Sequence, residues 1–159
     1  MPVLIDGHNL LRSIQKTSED LGSITAVRLC QIISRYLKLT GEKGEIVFDG
    51  TEPKYESRFD NIDNLEVFFA GVGADADTII ENKIRANTAP KRLTVVSSDQ
   101  RLQRAARARK ATVVKSRNFW DNLQKQLRRK KTIKEPASKR QGLSEAETEQ
   151  WLKFFGIEQ

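Results

Sequence analysis

The chain has 159 residues, enough for one domain with its own core plus an extension, and carries 28 Lys and Arg against 21 Asp and Glu, a net charge of +7. A single Cys excludes a disulfide framework, and one Cys with one His excludes a Cys/His zinc site. The opening "MPVLIDG" has neither a basic leader nor an apolar run long enough to span a bilayer, so a soluble, cytoplasmic protein is expected, and the excess positive charge points to a polyanionic partner.

"PVLID" at 2–6 is apolar on successive positions, as in a strand covered on both faces, and Asp6 ends it. Asn9 opens the segment that follows, where it could cap that segment or orient a phosphate. Residues 24–39 set Ala26, Leu29, Cys30, Ile33, Tyr36 and Leu37 on a 3.6-residue stripe, a helix that Gly41 ends and that makes Cys30 a core residue. "EIVFD" at 45–49 is the second strand, closed by Asp49. The loop 50–62, "GTEPKYESRFDNI", carries Lys54, Tyr55, Arg58 and Phe59; it suits a solvated loop or a lid that stacks a base and holds phosphates.

"LEVFFA" at 65–70 is the third strand, and "GADADTIIENKI" then opens a helix over 75–87 with Ile79, Ile80 and Ile84 on one side and Asp75 and Asp77 at its start. "RLTVVSSD" at 92–99 is the fourth strand, closed by Asp99, and "SSDQ" has the form of a capping box with Ser97 as N-cap and Gln100 at N3. The next helix, 99–110, turns Leu102, Ala105 and Ala106 inward and repeats Arg101, Arg104 and Arg107 every third residue, a solvated face or a track for a phosphate backbone. "ATVVK" at 111–115 is the fifth strand, and 117–130 is a helix burying Phe119, Trp120, Leu123 and Leu127. Strands alternating with helices make a three-layer α/β/α fold around a parallel sheet.

Charge divides the chain into three parts. Residues 1–124 are a body of net +3; residues 125–141, "KQLRRKKTIKEPASKRQ", hold eight basic and one acidic side chain; residues 142–159 are net −3. The middle part has the composition of a linker that is disordered when free, and its Arg128, Arg129, Lys130 and Lys131 are candidate phosphate contacts. The last part, "LSEAETEQWLKFFG", is a short amphipathic helix with a Ser144/Glu147 capping box, Gly156 at its end and Trp151, Leu152 and Phe155 on one face. That face needs a dock, on the body or on a partner.

Ligands of parallel sheets bind beyond the carboxyl ends of the strands, and this edge collects Asp6, Asp49, Asp75, Asp77 and Asp99. Each acid alone has an ordinary alternative as a helix cap. Together, four or five carboxylates on one rim would repel one another unless a cation sat among them, and an all-oxygen donor set favours Mg²⁺ or Mn²⁺.

"VLIDGHNLL", "VFDG", "GADADTIIE" and "VVSSDQRL", in that order over residues 2–122, resemble the YacP-like branch of the NYN domains, relatives of the PIN-domain ribonucleases. The resemblance implies a PIN-like sheet of order 3-2-1-4-5 and metal-dependent cleavage of RNA. By motif it carries Asp6 and Asn9 over from the opening D-G-x-N, Asp77 and Glu81 from the acid-plus-helix motif, and Asp99 from the acid after the small hydroxyl residues. His8 stands where the family often has an aromatic residue.

The function expected is a metal-dependent endoribonuclease with Asp6, Asp77, Asp99 and Asn9 in the catalytic set, and with Asp6, Asp77 and Asp99, assisted by Asp75, as ligands of Mg²⁺ or Mn²⁺. RNA is the expected partner, with the ribosome a further candidate, and Lys54, Arg58, Arg101, Arg104 and the 128–131 run are its contacts. The alternatives are an RNA- or ribosome-binding module with little or no catalysis, and a phosphohydrolase or nuclease acting on DNA or a small phosphorylated molecule.

Overall fold

The computed structural model describes residues 2–17, 24–51, 59 and 62–134, with backbone alone at Thr17 and over 130–134. The order is β1 (Val3–Asp6), α1 (Gly7–Thr17), α2 (Ala26–Thr40), β2 (Gly44–Phe48), β3 (Leu65–Phe69), α3 (Ala76–Ala86), a 3-10 turn (Pro90–Arg92), β4 (Thr94–Val96), α4 (Gln100–Ala108), β5 (Thr112–Val114) and α5 (Ser116–Lys134). The strands form one parallel sheet ordered β3-β2-β1-β4-β5. That is the expected order, with β1 at the centre.

Side-chain alternation along the central strands sorts the apolar residues into two layers. Val3 and Ile5 of β1, Ile46 and Phe48 of β2 and Val96 of β4 join Leu10 and Ile14 of α1, the inner stripe of α2, and Phe119, Trp120, Leu123 and Leu127 of α5. Leu4, Val47 and Val95 face the other way, onto Ala76, Ile80 and Ile84 of α3 and Leu102 and Ala106 of α4. Burial on both faces explains why these strands are apolar at consecutive positions.

Caps set most helix ends. Thr25 caps α2 by accepting the Arg28 N–H at 3.1 Å, and Gly41, at φ 71°, closes it with an N–H donated to the Leu37 carbonyl. The sequence reading left 7–17 without an element; it is α1, which starts directly from β1. A Cβ on Gly7 would lie 2.5 Å from two ring carbons of Phe48 and 2.9 Å from the Val47 carbonyl oxygen, so only glycine lets this junction sit over the end of β2. The fourth strand is shorter than 92–99, because the 3-10 turn takes its start and Ser97–Asp99 form its exit.

The last helix runs beyond 130 to Lys134, so 125–134 of the basic run is helical, carried by Leu127, which is 3% exposed. The expected boundary at 124 falls inside this helix, while the one at 141 and the tail helix with Trp151, Leu152 and Phe155 lie outside the described residues. No helix among the described residues is long and apolar enough to cross a membrane.

Candidate acidic site

Asp6 follows the parity of Leu4, so its carboxylate lies on the α3–α4 side of the sheet, and the residue is 5% exposed. Ser97 has the parity of Val95 in β4 and is fully buried; its Oγ donates to Asp6 Oδ2 at 3.0 Å and accepts the Asp99 N–H at 3.0 Å. The Asn9 backbone N–H also donates to the Asp6 carboxylate. Burial pushes the Asp6 carboxyl up to about 6; Ser97 and the Asn9 N–H pull it down, and the charges of Asp77 and Asp99 push it further up. Asp77, half-buried in the first turn of α3, is also raised, by burial first, then by Asp99, with Asp49 and Asp75 adding and Arg101 opposing. The five acids therefore share one electrostatic neighbourhood at the carboxyl edge of the sheet.

Three of these acids also serve as helix caps. Asp75 is the N-cap of α3, its Oδ1 accepting the Thr78 N–H at 2.6 Å, and that bond is the main reason its pKa is lowered. Asp99 is the N-cap of α4, accepting from Arg101 N at 2.8 Å and Leu102 N at 3.3 Å. This corrects the capping box read from "SSDQ": Ser97 stays at the strand end, holding Asp6, and the cap is Asp99. Asp49 sends Oδ1 to the Ala76 N–H at 2.8 Å, a second carboxylate on the positive end of α3.

Among the described residues no three His, Cys, Asp or Glu side chains are placed so as to hold a metal ion directly between them. The chemistry of the donors still fits a hard divalent cation: all are carboxylate oxygens, and Asp6 is desolvated with two further carboxylates bearing on it. Mg²⁺ in particular is usually bound by one or two carboxylates and completes its shell with water and substrate phosphates.

Asn9 ties the edge together. Its Oδ1 accepts from Ser98 N at 2.9 Å and from Ser116 Oγ at 2.6 Å, while Ser98 Oγ accepts the Ser116 N–H at 3.2 Å. The start of α1, the β4–α4 loop and the start of α5 are thereby fixed to one another. Ser116, fully buried, was not singled out from the sequence; only its place directly after a strand, at the carboxyl edge, could have drawn attention to it.

The basic candidates separate. Arg101 Nε donates to Glu81 Oε2 at 2.7 Å and its Nη2 to Thr78 Oγ1 at 3.3 Å, bridging α4 to α3. Glu81 also pairs with Arg85 at 2.7 Å, and its hydrogen bond from Arg101 is the first cause of its lowered pKa. Arg104 and Arg107 are exposed on α4, and Arg128 and Arg129 on α5, whose backbone continues through Lys130 and Lys131. Lys54 and Arg58 lie outside the described residues.

The crystal structure of Rae1 (YacP) from Bacillus subtilis is similar, with a TM-score of 0.69 and 23% identity over 98% of this chain and 92% of that one. A tryptophan-to-leucine variant of the same Bacillus subtilis protein gives a TM-score of 0.64 and 23% identity over 97% and 91%. At that identity the likeness speaks for the fold. No curated protein matches the chain closely. The YacP-like NYN domain family matches residues 3–155, nearly the whole sequence. The chain belongs to that family, a PIN-like group of nuclease-type hydrolases.

Proposed function

We propose that this protein is a cytoplasmic, Mg²⁺- or Mn²⁺-dependent endoribonuclease that hydrolyses phosphodiester bonds of RNA, with ribosome-associated or other structured RNA as its target class. The observation that carries the reading is Asp6: a buried carboxyl at the carboxyl edge of the central strand, raised to about 6 and under the charges of Asp77 and Asp99. A pure binder of polyanions gains nothing from such a group, whereas a cation site needs it.

Asp6, Asp77 and Asp99 would be the principal groups holding the metal, one or two of them directly and the rest through its bound water, with Asp75 assisting from the exposed lip. When bound, a divalent ion supplies Lewis-acid polarisation of the phosphoryl group under attack by water, with no covalent enzyme intermediate. Ser97 and the Asn9 N–H hold the Asp6 carboxylate in place, and Asn9 Oδ1 keeps the β4–α4 loop and α5 in register with it. Arg104, Arg128 and Arg129 are exposed and take the RNA backbone, joined by Lys130 and Lys131, by Lys54 and Arg58 and, where it can leave Glu81, by Arg101.

The test is incubation of the purified protein with labelled single-stranded RNA and DNA, with Mn²⁺ and with EDTA. RNA cleavage is expected with Mn²⁺ and not with EDTA, and Asp6→Asn, Asp77→Asn and Asp99→Asn should each slow it by at least about a hundredfold. Near-normal cleavage by two of the three variants would remove the metal-site assignment. A second reading, an RNA- or ribosome-binding module that cuts slowly or never, is favoured by the lack of any three acids that could hold an ion directly among the described residues. Tight RNA binding without cleavage under every metal condition would select it.

A further inference from the structure

A groove of about 380 Å³ runs along α1 beside the acidic edge, lined by His8, Leu11, Arg12, Gln15 and Asp49. Positions 8, 11, 12 and 15 follow the helical spacing that puts side chains on one stripe, so the groove has a continuous wall built by one element. Its volume falls in the range of about 300–1,000 Å³ typical of small-ligand sites.

The groove is chemically defined. Leu11 is a half-buried apolar patch packed against the core. His8 accepts the Asp49 N–H on Nδ1 at 2.9 Å, which places the proton of the neutral ring on Nε2, and the ring stands edge-to-face on Phe48 with centroids 5.5 Å apart. Arg12 and Gln15 are exposed, and Arg12 makes no ion pair among the described residues. The one acid, Asp49, is held by the Ala76 N–H at the positive end of α3, which offsets its charge. The same contact joins the groove to the acidic site, since Asp77 follows Ala76 and Asp6 lies two residues before His8.

We propose that this groove is the subsite for an RNA nucleotide flanking the scissile phosphate, with its base against Leu11 and the His8 ring, a base edge on Gln15 and its phosphate on Arg12. This rests on the ribonuclease reading of the adjoining acids. A flat base with polar edges beside an anionic phosphate is the ligand whose parts match these four side chains. The groove thus adds a contact on the α1 side of the acids, opposite the Arg101–Glu81 bridge on the α3–α4 side.

His8 is the only histidine in the chain, so its ring signals in NMR report on this groove alone. The probe is single-stranded hexauridylate, added without divalent ions to the Asp77→Asn protein, with fluorescence anisotropy read in parallel. The His8 ring signals should shift saturably with the dissociation constant found by anisotropy, and Arg12→Ala should weaken that constant at least about tenfold. Lys38→Ala, on α2 and paired with Asp63 at 3.2 Å, should leave it unchanged. Binding by anisotropy with unmoved His8 signals, or with Arg12→Ala unaffected, would overturn the subsite while leaving RNA cleavage by the wild type to stand on its own. A saturable His8 shift in a protein that never cleaves RNA would keep the subsite and remove the nuclease reading, and no binding at all would reject the subsite.

Discussion

Folding makes Asp6 harder to ionise, and the sign of the consequence is fixed. Its carboxyl rises from 3.8 to about 6, so between those values the folded state binds more protons than the unfolded one and stability falls as pH rises. Above about 6 the whole penalty is present, at most about 3 kcal/mol for a shift of this size. Asp6→Asn removes the charge but leaves one oxygen to accept from both Ser97 and the Asn9 N–H. A net gain of about 1–2 kcal/mol at pH 7.5 in EDTA is therefore expected, roughly 2–6 °C in melting temperature. The gain should shrink as pH falls from about 6 and vanish by about pH 3, where wild-type Asp6 is protonated in both states. Thermal unfolding of the two proteins across pH checks this, and a difference that does not change with pH would mean that Asp6 is not the titrating group. At this scale the acids were legible one by one in the sequence, because each ends a strand or begins a helix. Their hydrogen bonds were not: whether Asp99 or Ser97 caps α4, and that Asn9 meets Ser116, depends on contacts between residues far apart in the chain.

Elements show where local pattern suffices and where it fails. The strands were visible because two helical layers cover the sheet and force consecutive apolar residues. The helix α1 was missed although Leu10, Leu11 and Ile14 carry helical spacing, because it leaves β1 with no intervening loop and the acid that caps it, Asp6, is also the last residue of the strand. Composition starts a linker at 125, where a run of Lys and Arg resembles a solvated connector, while the apolar stripe already carries a helix over 117–130. Leu127 continues the stripe of Phe119, Trp120 and Leu123 into that run, and the helix follows its apolar face. This changes how the basic segment should be tested. Truncation at 125 would strip Leu127 from the core and confuse folding with binding, whereas the triple change Arg129→Gln, Lys130→Gln and Lys131→Gln keeps the helix. If all three side chains meet phosphates of a single strand, the slope of log K against log salt should fall by about 2, at roughly 0.7 for each contact. Binding isotherms from low to moderate salt measure it. An unchanged slope would mean that this part of α5 does not touch RNA.

At the scale of the whole molecule, the order β3-β2-β1-β4-β5 brings the exits of β1 and β4 side by side and sets the starts of α3 and α4 over them. Three acids far apart in sequence, Asp6, Asp77 and Asp99, thus come to bear on one another. Such a cluster is costly at neutral pH without a counter-ion, so a cation that binds only the folded state should stabilise it. The gain follows RT ln(1 + [L]/Kd), about 1.4 kcal/mol when the ion is at ten times its Kd, or roughly 3–5 °C for a chain of this length. Protons compete with the cation for Asp6, so the shift should be larger at pH 8 than at pH 5.5. Asp77→Asn should erase most of it. Asp75→Asn should reduce it less, because Asp75 is exposed and engaged with Thr78, and an asparagine can keep that cap. Mn²⁺ should act at least as strongly as Mg²⁺, and Ca²⁺ should bind without supporting cleavage, because its looser geometry misplaces the attacking water. Melting curves across a metal titration, for wild type and both variants at the two pH values, carry the test. Curves that coincide up to millimolar Mn²⁺ would leave the acids as caps of α3 and α4 and favour the RNA-binding module.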